Sequence, residues 1–128
     1  MRTKIIAGLG VLLAIVAVGL VLWRGYFGPP VVTVMNDSGA PVRDVLLEGD
    51  GFAQSLPDLM PGGSAATIVR PRGESSLKIS FLLNDRRVSS GDVTYLESGG
   101  GYRASVRIHE GGTVQCRTDI GFSWRRAV

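Results

Sequence analysis

The side chains best suited to chemistry are His109 and Cys116, the only histidine and the only cysteine of the chain. Imidazole and thiolate groups bind zinc and copper, and with Met35 and Met60 they could form a copper site. In the blue-copper pattern a histidine and then a methionine follow the cysteine closely. Cys116 is instead followed by Arg-Thr-Asp-Ile-Gly-Phe-Ser-Trp. We therefore predict no metal site and no cofactor.

The predicted hairpin that contains His109 and Cys116 places them on opposite faces of a sheet. If Glu110-Gly111-Gly112 is a three-residue loop with a glycine in the left-handed region, Val106 pairs with Cys116. A two-residue loop would shift the register and bury the amide of Gln115, so we favour the first arrangement. It predicts a buried, inert thiol and an imidazole on the surface.

Other catalytic signatures are weak. A single histidine leaves little for nucleophilic catalysis. The run Gly99-Gly100-Gly101 lacks the Gly-Lys-Ser/Thr ending of a phosphate loop and lies between two predicted strands, which indicates a mobile hairpin tip. Asp44, Glu48 and Asp50 do not have the spacing of a calcium loop. We predict that the protein is not an enzyme and has no catalytic or cofactor-binding residues.

One segment dominates the organisation of the chain. Ile5 to Trp23 is a run of 19 residues without a charge, and as a helix it is about 29 Å long, enough to cross a bilayer. A cleavable signal peptide has a shorter apolar core and a small-x-small cleavage site, whereas this run ends in Leu22-Trp23-Arg24. We predict an uncleaved signal-anchor helix over residues 1–24, in contact with lipid through residues 5–23.

The flanking charges predict how this helix is oriented. Arg2, Lys4 and the amino terminus lie before the apolar run, and Arg24 alone follows it closely. Basic residues favour the cytoplasmic side. We therefore expect a single-pass protein with a cytoplasmic N-terminus and an extracytoplasmic domain, which would be periplasmic in a Gram-negative cell. Trp23, Tyr26 and Phe27 would then form an aromatic belt at the outer interface.

The remaining chain carries few net charges and is rich in strand signals. The formal net charge of the whole protein is +3, and Arg2 and Lys4 account for most of it, so the displayed part is close to neutral. There is no long basic run, and we expect no nucleic-acid partner. With one cysteine no intrachain disulfide can form, so the domain depends on its hydrophobic core.

Beyond a linker over residues 25–30, turn-bounded alternating segments follow at intervals of about ten residues. They predict an all-β domain over residues 31–119, an antiparallel sandwich of seven or eight short strands. Residues 120–128 would form a tail or an edge strand. Eight segments carry clear strand signals, namely Val31–Met35, Val42–Glu48, Ala65–Arg70, Ser76–Leu83, Arg87–Ser90, Asp92–Glu97, Tyr102–His109 and Thr113–Thr118. Phe52–Leu56 is a further, short candidate.

Three stretches of this domain carry a resemblance to a known class of modules. They are Val31 to Gly39, which reads Val-Val-Thr-Val-Met-Asn-Asp-Ser-Gly, then Val42 to Leu47, then Leu56-Pro-Asp-Leu-Met-Pro-Gly62. In this order they resemble disulfide-free immunoglobulin-like β-sandwich modules of small bacterial envelope proteins. The resemblance implies an immunoglobulin-like fold and carries no functional residues across.

Two surfaces could mediate interactions. Ala7, Gly10, Ala14 and Ala17 fall on one face of the predicted membrane helix, where small side chains let another helix approach closely. Side chains of the last hairpin form a possible basic stripe that could meet anionic headgroups, a glycan or an acidic partner. The residues of the stripe are Arg103, Arg107 and Arg117.

These features together favour a non-catalytic role. We expect an extracytoplasmic β-sandwich that serves as an accessory or binding subunit of a membrane complex. Its partner would be another membrane or envelope protein, or a second copy of the chain. The first alternative is a small-ligand or metal-delivery module of the cell envelope, which an exposed cluster of histidine, methionine and carboxylate side chains would favour. A weaker third alternative is an enzyme that uses surface carboxylates.

Overall fold

The computed structural model describes residues 1–127 and begins with one long helix, α1, over Arg2–Phe27. This helix is long and apolar enough to span a membrane. Nearly all of its side chains are exposed, as expected for a helix whose apolar surface has no protein partner. It extends three residues into the predicted linker, because the turn around Gly25 is held by contacts from the C-terminal tail. Gly28, Pro29 and Pro30 remain as the link to the β-domain.

The β-domain consists of two four-stranded sheets. The first sheet has the strand order β4-β1-β7-β8, and the second has the order β3-β2-β5-β6. The strands are β1 Val31–Asp37, β2 Val42–Gly49, β3 Phe52–Leu56, β4 Ser64–Ile68, β5 Glu74–Leu83, β6 Arg86–Glu97, β7 Tyr102–His109 and β8 Val114–Ile120. The β class of the domain and the positions of its strands therefore agree closely with those predicted from the sequence.

The predicted purely antiparallel arrangement is wrong for one pair of strands. β1 pairs with β7 in parallel, with Val31 opposite Arg103 and Asp37 opposite His109. Both strands start beside the end of α1 and run away from it. The other pairings, including β1 with β4, are antiparallel. A parallel pair needs a long connection, and here all of β2 to β6 lies between the two strands.

The core between the sheets follows from the period-two alternation of the strands. In β5 the side chains of Leu77, Ile79, Phe81 and Leu83 point inward, as the sequence predicted, and Phe81 is completely buried. Burying one such side chain contributes about 1.5–3 kcal/mol. From the first sheet the main contributors are Val32, Val34, Val106 and Ile108.

A buried asparagine organises the turn at the far end of β1. Asn36 is fully buried, and its Nδ2 donates to the carbonyl oxygens of Ala40 and Leu59 at 2.7 and 2.9 Å. Its Oδ1 accepts from the backbone N–H and the hydroxyl of Ser38, at 3.0 and 2.6 Å. This is an Asx turn, in which the side chain replaces a backbone partner. The side-chain amide of Asn36 therefore donates two hydrogen bonds and accepts two, all with partners inside the protein.

The hairpin of β7 and β8 has the predicted register. Val106 lies opposite Cys116 and Ile108 opposite Val114. Gly111 in the three-residue loop adopts a φ of 80°, the left-handed conformation that the loop requires. Cys116 is only partly buried, however, because β8 is an edge strand whose inner face is incompletely covered by β6.

Two predicted boundaries differ from the structure. The segments Arg87–Ser90 and Asp92–Glu97 form a single strand, β6, with a register shift opposite Lys78. Ser90 bridges the irregularity, since its hydroxyl donates to the carbonyl oxygen of Ile79 at 3.0 Å. At the C-terminus β8 ends at Ile120, and the tail forms a helical turn, α2, over Trp124–Ala127 instead of an edge strand.

Candidate functional site

The most elaborate contacts of the molecule lie where the C-terminal tail folds back onto the end of α1. The phenyl ring of Phe122 lies against Gly25 and occupies the position that a Cβ atom would take there. It meets the ring of Tyr26 edge-on, with 5.2 Å between ring centroids. The backbone N–H of Ser123 donates to the carbonyl oxygen of Gly25 at 2.8 Å. The tail is therefore packed on the last turn of the apolar helix.

Arg126 lies at the centre of this region and is 6% exposed. Its Nε donates to the carbonyl oxygen of Gly25 at 3.1 Å, and its Nη1 donates to those of Tyr102 and Pro29 at 3.1 and 3.4 Å. Its Nη2 donates to the carbonyl oxygen of Gly121. One guanidinium group thus joins α1, the link to the domain, β7 and the tail.

The surroundings of Arg126 suit a cation without a carboxylate partner. The last four carbonyl groups of a helix lack partners within the helix, and they carry a partial negative charge that attracts a cation. Burial, and to a smaller extent the positive charge of Arg103, lowers the pKa of Arg126. Arginine nevertheless remains protonated at physiological pH. The charge therefore caps the C-terminal end of α1.

A second close approach involves the predicted mobile tip, and this prediction is wrong for Gly101. Gly101 is buried, and its N–H donates to the carbonyl oxygen of Gly28 at 3.3 Å. It has a φ of +71°, and a Cβ atom there would collide with the carbonyl oxygen of Tyr26. We call the contact region formed by Gly25, Gly28, Gly101, Phe122 and Arg126 the membrane-proximal joint.

The predicted basic stripe is present on the outer face of the first sheet, but two of its members have acidic partners. Arg103 binds Asp119 through two hydrogen bonds, from Nε at 2.8 Å and from Nη2 at 2.9 Å, and hydrogen bonding to Asp119 raises the pKa of Arg103. Arg107 pairs with Asp37 at 3.3 Å. Of the three arginines of the stripe, only Arg117 forms no ion pair within residues 1–127.

Arg103 also helps to build the joint. Its Nη1 donates to the carbonyl oxygen of Phe122 at 3.2 Å, while the rest of the guanidinium group binds Asp119. Arg103 therefore positions the start of the tail, and its side chain is not a free surface cation. Arg103 therefore has a structural role in holding the tail, unlike Arg107 and Arg117, with which it shares the predicted stripe.

The candidate metal ligands are not brought together as a set. His109 is on the outer face of β7, where its Nε2 lies 3.1 Å from Oε1 of Gln115. Cys116 points to the opposite face, towards the hydroxyl group of Thr118, and burial raises the pKa of its thiol. Over residues 1–127, no group of three or more histidine, cysteine, aspartate or glutamate side chains has a metal-binding geometry.

The small-residue face of α1 is open. Ala7, Gly10, Ala14 and Ala17 are exposed, and no heavy atom beyond the helix itself and the neighbouring residues lies within 4 Å of a Cβ atom built on Gly10. The face is therefore accessible along its length to a second helix.

The burial of Arg126 and the packing of the tail on α1 were not predicted from the sequence. The doublet Arg125-Arg126 is visible in the sequence, but nothing near it shows that one arginine is buried and the other exposed. That difference depends on Gly25 and Tyr102, which lie far away in the chain. The only available signal was the small residue Gly25 immediately after Arg24, in a helix that must meet a folded domain.

Comparisons with known proteins give no functional relative. No protein-family description matches the chain, and no curated protein matches it. Among solved structures, the NMR structure of a protein from Eubacterium rectale is similar, with a TM-score of 0.48 and 13% sequence identity. The match covers 72% of this chain and 89% of that one. The resemblance is limited to the fold.

Proposed function

We propose that this protein is a single-pass, membrane-anchored extracytoplasmic β-sandwich that acts as a non-catalytic accessory or binding subunit of a membrane complex. The observation that carries the proposal is the membrane-proximal joint. It holds the β-domain in one orientation on α1 through a buried arginine and two close glycine contacts.

A β-domain that is held in one orientation on α1 suggests a different role from a domain that is only tethered to the membrane. A domain that only needs to stay near the membrane can be attached by a flexible Gly/Ser-rich linker. Here the link is short and contains Pro29 and Pro30, and the tail adds Phe122 and Arg126 as further attachments. Such a rigid attachment is useful when one face of the domain must contact a partner that is held in the same bilayer.

The finer features of the proposal come from the sequence. Arg2 and Lys4 before the apolar run favour a cytoplasmic N-terminus, which places the domain outside the cytoplasm. The two stacked sheets are compatible with the immunoglobulin-like modules that the sequence resembles, and we extend the proposal to that class. The open face with Gly10 and Ala14 is our proposed contact for a partner helix or a second copy of the chain.

The proposal is tested by loosening the attachment between the β-domain and α1. A Gly-Ser insertion between Gly28 and Pro29, combined with Arg126→Gln, removes the contacts of Arg126 with the last turn of α1 and leaves the apolar run from Ile5 to Trp23 unchanged. Circular dichroism of the purified variant would verify that the β-domain remains folded. The full-length protein would be crosslinked in native membranes, purified by affinity and examined for partners. We expect a specific partner with the natural protein and a severalfold lower recovery with the freed domain, at equal membrane insertion.

A control variant distinguishes this effect from general damage. Arg86→Gln changes an exposed residue at the opposite end of the sandwich and should leave recovery unchanged. Equal recovery from the freed domain and the control would show that orientation is irrelevant and would contradict the proposed role. A protease-accessibility assay on intact cells tests the topology, and a domain protected in the cytoplasm would contradict the assignment to the outside.

A further inference from the structure

We propose that the C-terminal tail is a second membrane contact, which binds anionic lipid headgroups of the leaflet from which α1 emerges. The surface consists of Phe122, Trp124, Arg125 and Arg70, and we call it the tail surface. This inference rests on the proposed function only in requiring that α1 crosses a bilayer.

The depth of the tail follows from its contacts with α1. The carbonyl oxygen of Gly25 accepts hydrogen bonds from the N–H of Ser123 and from Arg126, so this part of the tail lies level with Gly25. Gly25 is two residues beyond Trp23, which ends the apolar run, and two residues rise only about 3 Å along a helix. The headgroup layer on each side of a bilayer is roughly 5–7 Å thick. The tail therefore lies within that layer.

The aromatic side chains continue from the helix into the tail. Tyr26 contacts Phe122, and Phe122 contacts Trp124 edge-on with 4.9 Å between ring centroids. Trp124 remains 67% exposed, although it is the largest apolar side chain in the tail. Exposed tryptophan and tyrosine side chains are enriched at membrane interfaces because their rings tolerate both apolar and polar surroundings. The aromatic belt predicted from Trp23, Tyr26 and Phe27 would thereby continue from the helix into the tail, along the lipid surface.

The charges of the tail surface specify the chemistry of the lipid. Arg70 and Arg125 line one shallow groove together with Ala66, Thr67 and Ile68, and none of the described residues 1–127 contributes a carboxylate to its lining. Neither arginine forms an ion pair with any residue in the range 1–127. A guanidinium group binds a phosphate through paired hydrogen bonds. Near a membrane surface each arginine strengthens attachment to anionic lipid about fivefold.

The test uses the two tryptophans as depth probes in the full-length protein, reconstituted in nanodiscs. The chain has only Trp23 and Trp124, so Trp23→Phe leaves the tail probe and Trp124→Phe leaves the helix probe. Fluorescence would be measured with a lipid quencher placed either near the headgroup or at the end of the acyl chain. We expect Trp124 to be quenched strongly by the headgroup quencher and weakly by the deep one.

The two probes separate this inference from the proposed function. If Trp23 is quenched by lipid and Trp124 is not, the tail surface is wrong while the membrane anchor stands. If neither tryptophan is quenched, the anchor itself is wrong. Both variants replace an exposed tryptophan with a smaller aromatic residue, so the fold should be unaffected, and circular dichroism would verify this.

The charge assignment has its own pair of variants in the Trp23→Phe background. Arg70→Gln with Arg125→Gln removes the cations of the groove, and Arg43→Gln with Arg86→Gln removes two exposed cations at the distal end. Headgroup quenching of Trp124 would be followed as phosphatidylglycerol is added to phosphatidylcholine discs. We expect quenching to rise with phosphatidylglycerol in the parent and the distal variant and to stay flat in the groove variant. An equal response of both double variants would overturn the assignment to anionic headgroups.

Discussion

The Nε atom of Arg126 donates to the carbonyl oxygen of Gly25 at 3.1 Å and joins two residues that are 101 positions apart in the chain. This bond links the end of the long apolar helix α1 to the C-terminal tail, with the whole of the β-domain between them in the chain. The same guanidinium group reaches Tyr102 at the start of β7. The side chain of Arg126 therefore contributes directly to the orientation of the domain on α1.

Replacing Arg126 should weaken the joint strongly. Arg126→Gln removes the charged donor and leaves several backbone carbonyl groups without their partner, which should lower the free energy of unfolding by about 3 kcal/mol. Arg126→Lys should recover only part of this loss, because an ammonium group cannot reproduce the planar fork. Urea unfolding of the full chain in nonionic micelles, followed by circular dichroism, measures the change. Arg117→Gln is the matched control and should stay within about 0.5 kcal/mol of the natural protein.

The two glycines Gly99 and Gly101 should respond differently to the same substitution. Gly101→Ala places a Cβ atom against the carbonyl oxygen of Tyr26 in a left-handed backbone conformation, and should cost at least about 2 kcal/mol. Gly99 has open space around it, so Gly99→Ala should change stability little. Thermal unfolding of both variants tests this, and equal melting temperatures would mean that the loop does not dock on the link as described.

Cys116 provides a pH-dependent prediction. Burial raises the pKa of its thiol, so the folded protein should react with maleimide more slowly than the denatured chain at neutral pH. The native rate should also reach its plateau at a higher pH. Because the folded state holds the thiol proton more tightly, ionisation of Cys116 should reduce stability as the pH rises above the ordinary thiol range. Cys116→Ser should abolish this pH effect, and its persistence would assign it to another group.

The face of α1 that carries small residues should matter for association. Gly10→Leu with Ala14→Leu should reduce recovery of a partner or of a self-associated form severalfold, because bulky side chains prevent close approach of helix backbones. Membrane insertion should remain normal, since leucine is at least as apolar. Leu13→Ala, on another face, is the control. Unchanged recovery in the double variant would leave recognition to the β-domain alone.

Local patterns in the sequence were sufficient for much of the fold. The register of β7 and β8 follows from the loop around Gly111 and from alternation over neighbouring residues, and the structure has that register. The length and composition of the run from Ile5 to Trp23 likewise predicted the long helix. Each of these features depends on residues that lie close together in the chain.

The features that sequence analysis missed depend on distant residues. The parallel pairing of β1 with β7 joins Val31 to Arg103, and no pattern within either strand specifies the direction of its neighbour. The burial of Arg126 depends in the same way on carbonyl groups of the helix and of β7. For a stripe such as Arg103, Arg107 and Arg117, spacing predicts a shared face correctly, but only the fold shows which members already have partners.

The place of β1 in the first sheet determines how the protein responds to mechanical load. β1 is the strand that follows α1, and it is hydrogen-bonded on both sides, to β4 and to β7. If α1 is held in a bilayer, a force that pulls along β1 would load these bonds in shear, so that many would have to break together. The bonds of Arg126 to the end of α1 would carry part of the same load. Resistance of the domain to unfolding by such a force would therefore depend on the inner position of β1 in its sheet.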